Sequence, residues 1–460
     1  MILKKCVVYV AAFCLTFQAC ELLEVDTPAN KIVGDDIFLN SDTATAAIVG
    51  IYADMASKSN IFSGAASIHA GLYGDELVYR GSRDPVIEFS NSTISLVNPI
   101  LETIFWNQSY AFIYRSNKCQ EGLSKSNALS SQLRDQLLGE AKLLRAMFYF
   151  HMIQFFGEVP LVTMSDHTVS ERMARTPLPA IKETILADLR VAKALLLPAY
   201  PTPERVRANK WSAAALLARF YLYESNWDLA EKECTEIINS GQYALEGLNN
   251  VFLSGSKEAI LQLLPVTNGY NTLEGNMLIP PGSGIPSYTL SASLMSQFEP
   301  GDKRKTAWTG SNTSGGIAYY YPFKYKKRAD QTQTVKATEY PTIFRVAEIY
   351  LIRAECNAAL GRIPAAMNDL DVIRRRAGLP LIAATHPGIS ATALMQQIQH
   401  ERRIELFAES GHRWFDLKRS GTVHEVMKSL KPAWNDGRHL WPIPAPQIAF
   451  NPTLVQNPGY

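Results

Sequence analysis

Ala347-Glu-Ile-Tyr-Leu-Ile-Arg-Ala-Glu-Cys-Asn-Ala-Ala-Leu360, the break Gly361-Arg362, and Ala365-Ala-Met-Asn-Asp-Leu-Asp-Val-Ile-Arg-Arg-Arg376 read as a helix, a turn and a second helix. The same arrangement stands 136 residues earlier, where Ala213–Tyr223 and Leu229–Ile238 flank Ser225-Asn226. At that offset Ala218 matches Ala354, Ser225 matches Gly361, Ala230 matches Ala366 and Ile237 matches Ile373. In each pair a small residue of the first helix precedes a small residue of the second by twelve positions, which lets two helices pack closely.

This spacing resembles the tetratricopeptide repeat, although two copies separated by a long insertion are not a regular array, and two unrelated helical hairpins are the competing reading. Further helix is written between Leu137 and Phe156, where Leu137, Ala141, Leu144, Phe148, Met152 and Phe155 form one apolar stripe before Gly157 and Pro160 stop it. Other stretches are irregular. Pro265–Lys324 carries the turn signals Pro280-Pro281-Gly282-Ser283-Gly284 and Gly315-Gly316, and Tyr319–Tyr325 alternates like a strand. Gly71–Pro99 is a second mixed excursion, and the five prolines of Leu440–Tyr460 argue against a regular helix there. The expected fold is mainly α, a helical scaffold with tetratricopeptide-like helix pairs, long irregular loops and a few short strands.

The 460 residues are 47% hydrophobic and 19% charged, with 45 basic and 43 acidic side chains, which excludes a strongly basic nucleic-acid binder and an acidic disordered tail. The surplus of two sits at the N-terminus. Lys4 and Lys5 precede an apolar run, Cys6–Phe17, that is too short to span a bilayer. Phe17-Gln18-Ala19-Cys20 follows and resembles a bacterial lipobox, in which the cysteine becomes the acylated first residue. An ordinary signal peptide with a chance cysteine is the competing reading. Residues 1–19 are thus expected to be a lipoprotein signal peptide, and residues 20–460 a single body with halves at about 20–220 and 260–460. Without the first 19 residues that body holds 43 basic and 43 acidic groups and is formally neutral. Glu21, Glu24 and Asp26 resemble the surface-export signal of lipoproteins in one bacterial phylum.

Searches for catalytic chemistry find little. His400-Glu401-Arg402-Arg403-Ile404 lacks the second histidine of a zinc-protease helix. There is no Walker A pattern, no Rossmann glycine pattern and no Gly-x-Ser-x-Gly elbow. Cys119, Cys234 and Cys356 are widely spaced, so no metal site and no cofactor are expected. The carboxylate pairs Asp75-Glu76 and Asp369/Asp371 have no surrounding pattern that marks a glycosidase. The dense group Glu401, Arg402, Arg403, Glu405, Arg413, Asp416, Lys418 and Arg419 reads as an ion-pair lattice fixing the last helices, with anion binding as the alternative.

Several motifs together resemble the SusD/RagB family of nutrient-binding outer-membrane lipoproteins. They are Glu401-Arg-Arg-Ile-Glu-Leu-Phe, Gly411-His-Arg-Trp-Phe-Asp-Leu-Lys-Arg419, Leu440-Trp-Pro-Ile-Pro444, Asn451-Pro and Gln456-Asn-Pro-Gly-Tyr460. Phe344–Glu355, Arg374–Gly378, Glu140–Phe150, Phe156–Pro160 and the start at Cys20 are similar to other parts of that family, so the likeness runs over nearly the whole mature chain. The resemblance implies a non-enzymatic protein anchored by lipid at Cys20 to the outer membrane and facing the exterior. It implies capture of an oligosaccharide, or of a peptide as in RagB-like members, for a TonB-dependent transporter resembling SusC. A scaffold that has lost ligand binding is a third reading, and an enzyme a fourth. Neither nucleic acid nor metal is implied.

Sugars bind on aromatic ring faces flanked by polar side chains. Pro265–Tyr325 holds nine aromatics in 61 residues, about 15% against 10% for the chain, which singles it out as the place to look. The residues put forward as ligand contacts are Tyr73, Asp75, Tyr79, Arg80, Tyr270, Tyr288, Trp308, Tyr319 and Tyr320. Packing is the alternative for each, and alternate residues of Tyr319–Tyr325 are expected to face the core. Trp106, Trp211 and Trp227 lie in helical patterns and are read as packing residues.

Overall fold

The computed structural model describes residues 34–57, 59–329 and 336–460. Cys20 and the expected signal peptide and export signal lie outside them. Helices dominate. The main ones are α1 (Ser41–Ser57), α2 (Gln108–Lys125), α3 (Ser131–Phe156), α4 (Leu178–Leu195), α5 (Lys210–Tyr223), α6 (Trp227–Asn239), α7 (Val346–Ala359), α8 (Ile363–Ala377), α9 (Ala391–Glu405) and α10 (His412–Arg419). From α2 to α8 each packs on the next, α2 on α3, α3 on α4 and so on to α7 on α8, and α9 closes the stack against α7 and α8. The gap between α6 and α7 is bridged in space although over a hundred residues separate them in sequence.

The two helix pairs repeat down to their turn hydrogen bonds. Asn226 N–H donates to Tyr221 O at 2.8 Å, and Arg362 N–H to Asn357 O at 2.8 Å. Ser225 N–H donates to Leu222 O, and Gly361 N–H to Ala358 O, both at 3.1 Å. Ser225 (φ 55°) and Gly361 (φ 74°) both stand in the left-handed region, the conformation that turns the chain back on itself and that glycine adopts without strain. Ala218, Ala230, Ala354 and Ala366 are all fully buried, as close helix packing requires.

Three two-stranded antiparallel sheets occur among the described residues: β1 (Leu77–Tyr79) with β3 (Tyr288–Leu290), β2 (Ala259–Gln262) with β6 (Thr342–Arg345), and β4 (Thr309–Ser314) with β5 (Ile317–Pro322). The expected strand around Tyr319 is β5, the second arm of a hairpin turned at Gly315-Gly316, both with positive φ. The proline-rich C-terminus differs from expectation in one detail. Ala445–Phe450 forms one short helix, because Pro446 falls in its first turn, where no intrahelical donor is needed.

The C-terminal motifs have structural work. Trp441 is fully buried and stacks on Phe155 at 4.2 Å between centroids, while its backbone N–H donates to Phe155 O at 2.7 Å. The Asn457 amide donates to Phe156 O at 2.9 Å and Trp441 O at 2.7 Å, tying the tail to the end of α3.

The charged group on α9 and α10 is an ion-pair lattice, as its density implied. Glu405 has no exposed surface and accepts from Arg345 at 2.6 Å, Arg304 at 3.1 Å and Arg376. Arg345 also meets Glu258 at 2.8 Å and Glu409 at 2.7 Å, and Lys324 meets Glu409. Arg419 holds Glu355 at 2.5 and 2.8 Å and Asp416 at 2.6 Å, and Arg402 holds Asp416 at 3.1 Å. Burial pushes the Glu405 carboxyl up, but the guanidiniums of Arg376, Arg345 and Arg304 overcome it and hold the group far below the usual carboxylate range.

Glu405→Gln removes the charge that three guanidiniums share and leaves them facing one another. Breaking a buried pair from one side costs about 3–5 kcal/mol. Urea unfolding of the variant is expected to show a loss of that size, and an unchanged midpoint would contradict the assignment of Glu405 as the hub.

Candidate functional site

The hairpin β4–β5 projects from a clamped base. On its N-terminal side, Arg304 and Trp308 of the short helix Lys303–Trp308 are fully buried. On its C-terminal side Lys324 and Tyr325 are buried as well, with the Lys324 ammonium 4.2 Å from the Phe407 ring centroid and 4.6 Å from that of Trp308. Alternation along β5 then sorts the rings. Pro322 is buried and Tyr320, though itself half-buried, packs toward the core, while Tyr319, Tyr321 and, just past the strand, Phe323 are half-buried on the other side of the alternation. Tyr321 and Phe323 meet edge to face at 5.9 Å. The Tyr321 ring lies over its cross-strand partner Gly310, where an added Cβ would fall 2.3 Å from the ring. Glycine is therefore what lets this ring lie flat against the strand.

The first excursion joins the same face. Register pairs Tyr79 of β1 with Tyr288 of β3, and their rings sit 5.1 Å apart. The Arg80 guanidinium lies 4.9 Å from the Tyr319 ring centroid, and its Nε donates to Thr289 Oγ1 at 3.0 Å. Asn312 on β4 donates to the carbonyls of Gly282 and Gly284 at 2.8 and 2.7 Å, which holds the glycine-rich loop beside the hairpin. Tyr79, Arg80, Tyr288 and Tyr319 are thus brought together from segments more than 200 residues apart. Tyr288 is mostly buried, Tyr79 and Tyr319 are half-buried, and Arg80 is exposed. Such an arrangement offers ring faces for apolar stacking and a guanidinium for hydroxyl oxygens.

The other proposed contacts lie elsewhere. Trp308 is completely buried, its indole N–H donating to Leu248 O at 2.8 Å, so it presents no face to a solute. Tyr73 is also completely buried, in edge contact with Trp414 at 4.9 Å, and its hydroxyl donates to Arg438 O at 2.8 Å. The Asp75 carboxylate is occupied by Arg403 at 2.6 Å and Arg413 at 2.8 Å; burial raises its pKa, and these guanidiniums bring it below the usual value. Its neighbour Glu76 is buried, and burial together with the Asp75 charge pushes its carboxyl up to about 8. Tyr270 lines a separate cavity of about 30 Å³ with Ser59, Ser63 and Asn271. Tyr321 and Phe323 are among the nine aromatics of Pro265–Tyr325 but not among the contacts put forward from sequence; the two-residue alternation of Tyr319–Tyr325 is the signal that groups them with Tyr319.

A groove of about 300 Å³ is lined by Trp106, Tyr110, Tyr114 and Phe450 among others. A larger cavity of about 550 Å³ opens at the hairpin base, beside Phe323, Lys303, Lys326 and Arg376.

A stacked helical-repeat scaffold that presents half-exposed rings on a clamped hairpin has the build of a ligand-binding protein. Residues 267–460 match the model of the SusD family, and residues 86–222 match a model described as starch-binding, associating with the outer membrane. The chain belongs to the SusD/RagB family. A SusD-like protein of Formosa agariphila is 25% identical, with all of both chains aligned. A solved SusD superfamily structure from Bacteroides vulgatus shares the fold at a TM-score of 0.81 and 21% identity, covering 92% of this chain and 99% of that one. A solved laminarin-binding SusD-like protein superposes at a TM-score of 0.77 and is 25% identical, covering 92% of this chain and all of that one.

Trp308→Ala is expected to lower unfolding free energy by about 3–5 kcal/mol, the cost of emptying a buried tryptophan site. Tyr319→Ala and Tyr321→Ala are each expected to stay within about 1 kcal/mol, the scale of a cross-strand pair. Denaturant titration of the three variants checks this, and a silent Trp308→Ala would contradict its placement in the core.

Proposed function

We propose that this protein is a cell-surface lipoprotein that captures oligosaccharide and passes it to a TonB-dependent, SusC-like transporter of the outer membrane, without catalysing a reaction. The observation that carries the reading is the row of half-exposed rings Tyr319, Tyr321 and Phe323, with Tyr79 and Arg80 beside it. Pyranose rings present C–H faces that stack on such surfaces, while their hydroxyls take hydrogen bonds from neighbouring polar groups. Family membership, the description of the matched N-terminal model and the laminarin-binding relative support the same assignment. The mature chain begins at Cys20 in this reading. Acyl chains on that residue, at about 0.8 kcal/mol per buried methylene, hold the protein to the membrane. No helix among the described residues is long and apolar enough to cross a membrane.

Calorimetric titration of the detergent-solubilised protein against a glycan panel and a peptide pool tests this. Saturable heat with at least one oligosaccharide, weakened tenfold or more in Tyr319→Ala and Tyr321→Ala, is the expected result. Heat with peptides alone would replace the glycan reading by the peptide one. No heat with either, but co-purification with a transporter, would leave a scaffold. Palmitate labelling is expected to disappear in Cys20→Ala, and its persistence would overturn the anchor.

A further inference from the structure

The cavity of about 550 Å³ at the base of the hairpin has a chemistry unlike the ring face above it. Lys303, Lys326 and Arg376 line it together with Asn249, Thr306 and Phe323, and among the described residues no carboxylate does. Arg376 is buried. It donates to Glu258 at 2.6 Å and to Glu405, while its Nε is buried without a partner. Those two carboxylates also bind Arg345, and Glu405 binds Arg304, but Asp302, Glu401 and Glu409 serve the same guanidiniums, so Arg376 is balanced within the lattice and the cavity's cations without an ion pair among the described residues are Lys303 and Lys326. The Lys326 ammonium donates to two carbonyls, Ala307 O and Phe323 O, and reaches no carboxylate within ion-pairing distance among the described residues. The carboxylate of Glu339 is engaged instead by the backbone N–H groups of Lys326 and Lys327, at 2.6 and 2.9 Å. Burial lowers Lys326 to about 8, which still leaves it mainly cationic at neutral pH. The Lys303 stem lies across Gly378, where an added Cβ would come 2.8 Å from its Cε, and its ammonium forms no ion pair among the described residues.

Phe323 belongs both to this cavity and to the outward face of β5 and its extension. It stands four positions beyond Tyr319, about 13 Å of extended strand. A chain stretched along the rings therefore runs toward the cations.

We propose that the cavity of Lys303, Lys326 and Arg376 is an anion subsite that takes the sulfate or carboxylate substituent of an acidic oligosaccharide whose uncharged part lies on Tyr319 and Tyr321. This rests on the glycan reading and names the class of glycan. Guanidinium and ammonium groups bind such oxyanions through charge-assisted hydrogen bonds.

The test titrates detergent-solubilised full-length protein with matched oligosaccharides that are uncharged, sulfated or uronic-acid-containing. At least one charged form is expected to bind tenfold or more tighter than its uncharged counterpart, with the advantage shrinking as salt rises. Which charged form gains more tells sulfate from carboxylate. Lys303→Ala, and separately Lys326→Met, are expected to erase most of that advantage while leaving affinity for the uncharged form unchanged. The exposed Lys303 site keeps the test open should Lys326→Met fold poorly. Equal affinity for charged and uncharged forms would overturn the subsite and leave the glycan reading standing. Absence of binding to every saccharide would overturn both.

Discussion

Glu405 is buried in the middle of the molecule, and its carboxylate is shared by Arg304, Arg345 and Arg376. These three come from the helix before the hairpin, from the end of β6 and from α8, while Glu405 itself closes α9. Taking so many charges out of water is expensive, and a lattice like this adds little stability relative to well-packed apolar groups. Its effect is geometric. Once the guanidiniums are buried, few arrangements satisfy them all, so the elements that carry them have little freedom to shift. Lys324 extends the same control to the far side of the hairpin through Glu409 and the Glu405 carbonyl. The rings of β5 stand on a hairpin whose two ends are both fixed in this lattice, and a binding face built on a rigid base loses less entropy when a ligand arrives.

The repeat was legible because it is local. Small residues at Ala218, Ala230, Ala354 and Ala366, and turn residues at Ser225 and Gly361, declare helix packing without any knowledge of distant contacts. The structure adds that the turns match bond for bond. The lattice was legible for a related reason: charges of both signs packed densely on two helices have few other uses. The irregular excursions were harder. Trp308, set among Thr306, Thr309 and Gly310, looks like a surface residue, but Leu248, Phe252 and Phe407 close over it from elsewhere in the chain. Tyr73 and Asp75 were misread in the same way, because Trp414 and the guanidiniums of Arg403 and Arg413 reach them from the C-terminal helices. Burial of a loop residue is decided by long-range partners, and local sequence does not encode them. In β5, alternation said that one set of rings faces out but not which. The pairing of Ser311 with Tyr320 and of Gly310 with Tyr321 sets the phase.

The chemical character of the surface follows from this division. The ion-pair lattice is buried and mutually satisfied, and strands β4 and β5 carry no charge of their own; Arg80 lies beside Tyr319, and Lys303 and Lys326 lie near Phe323 at the hairpin base. A saccharide read by such a face is sensed first by shape and stacking and only then by charge. Formal neutrality of residues 20–460 gives no hint of this, because Lys303 and Lys326 are a local feature within a balanced whole.

The central claim is that ligand lies on the hairpin, and a crystal structure of the protein soaked with an oligosaccharide that it binds tests that most directly. The account predicts sugar density against Tyr319 and Tyr321, continuing toward Phe323 and Lys326. Density confined to the groove of Trp106, Tyr114 and Phe450, with the hairpin rings bare, would contradict it.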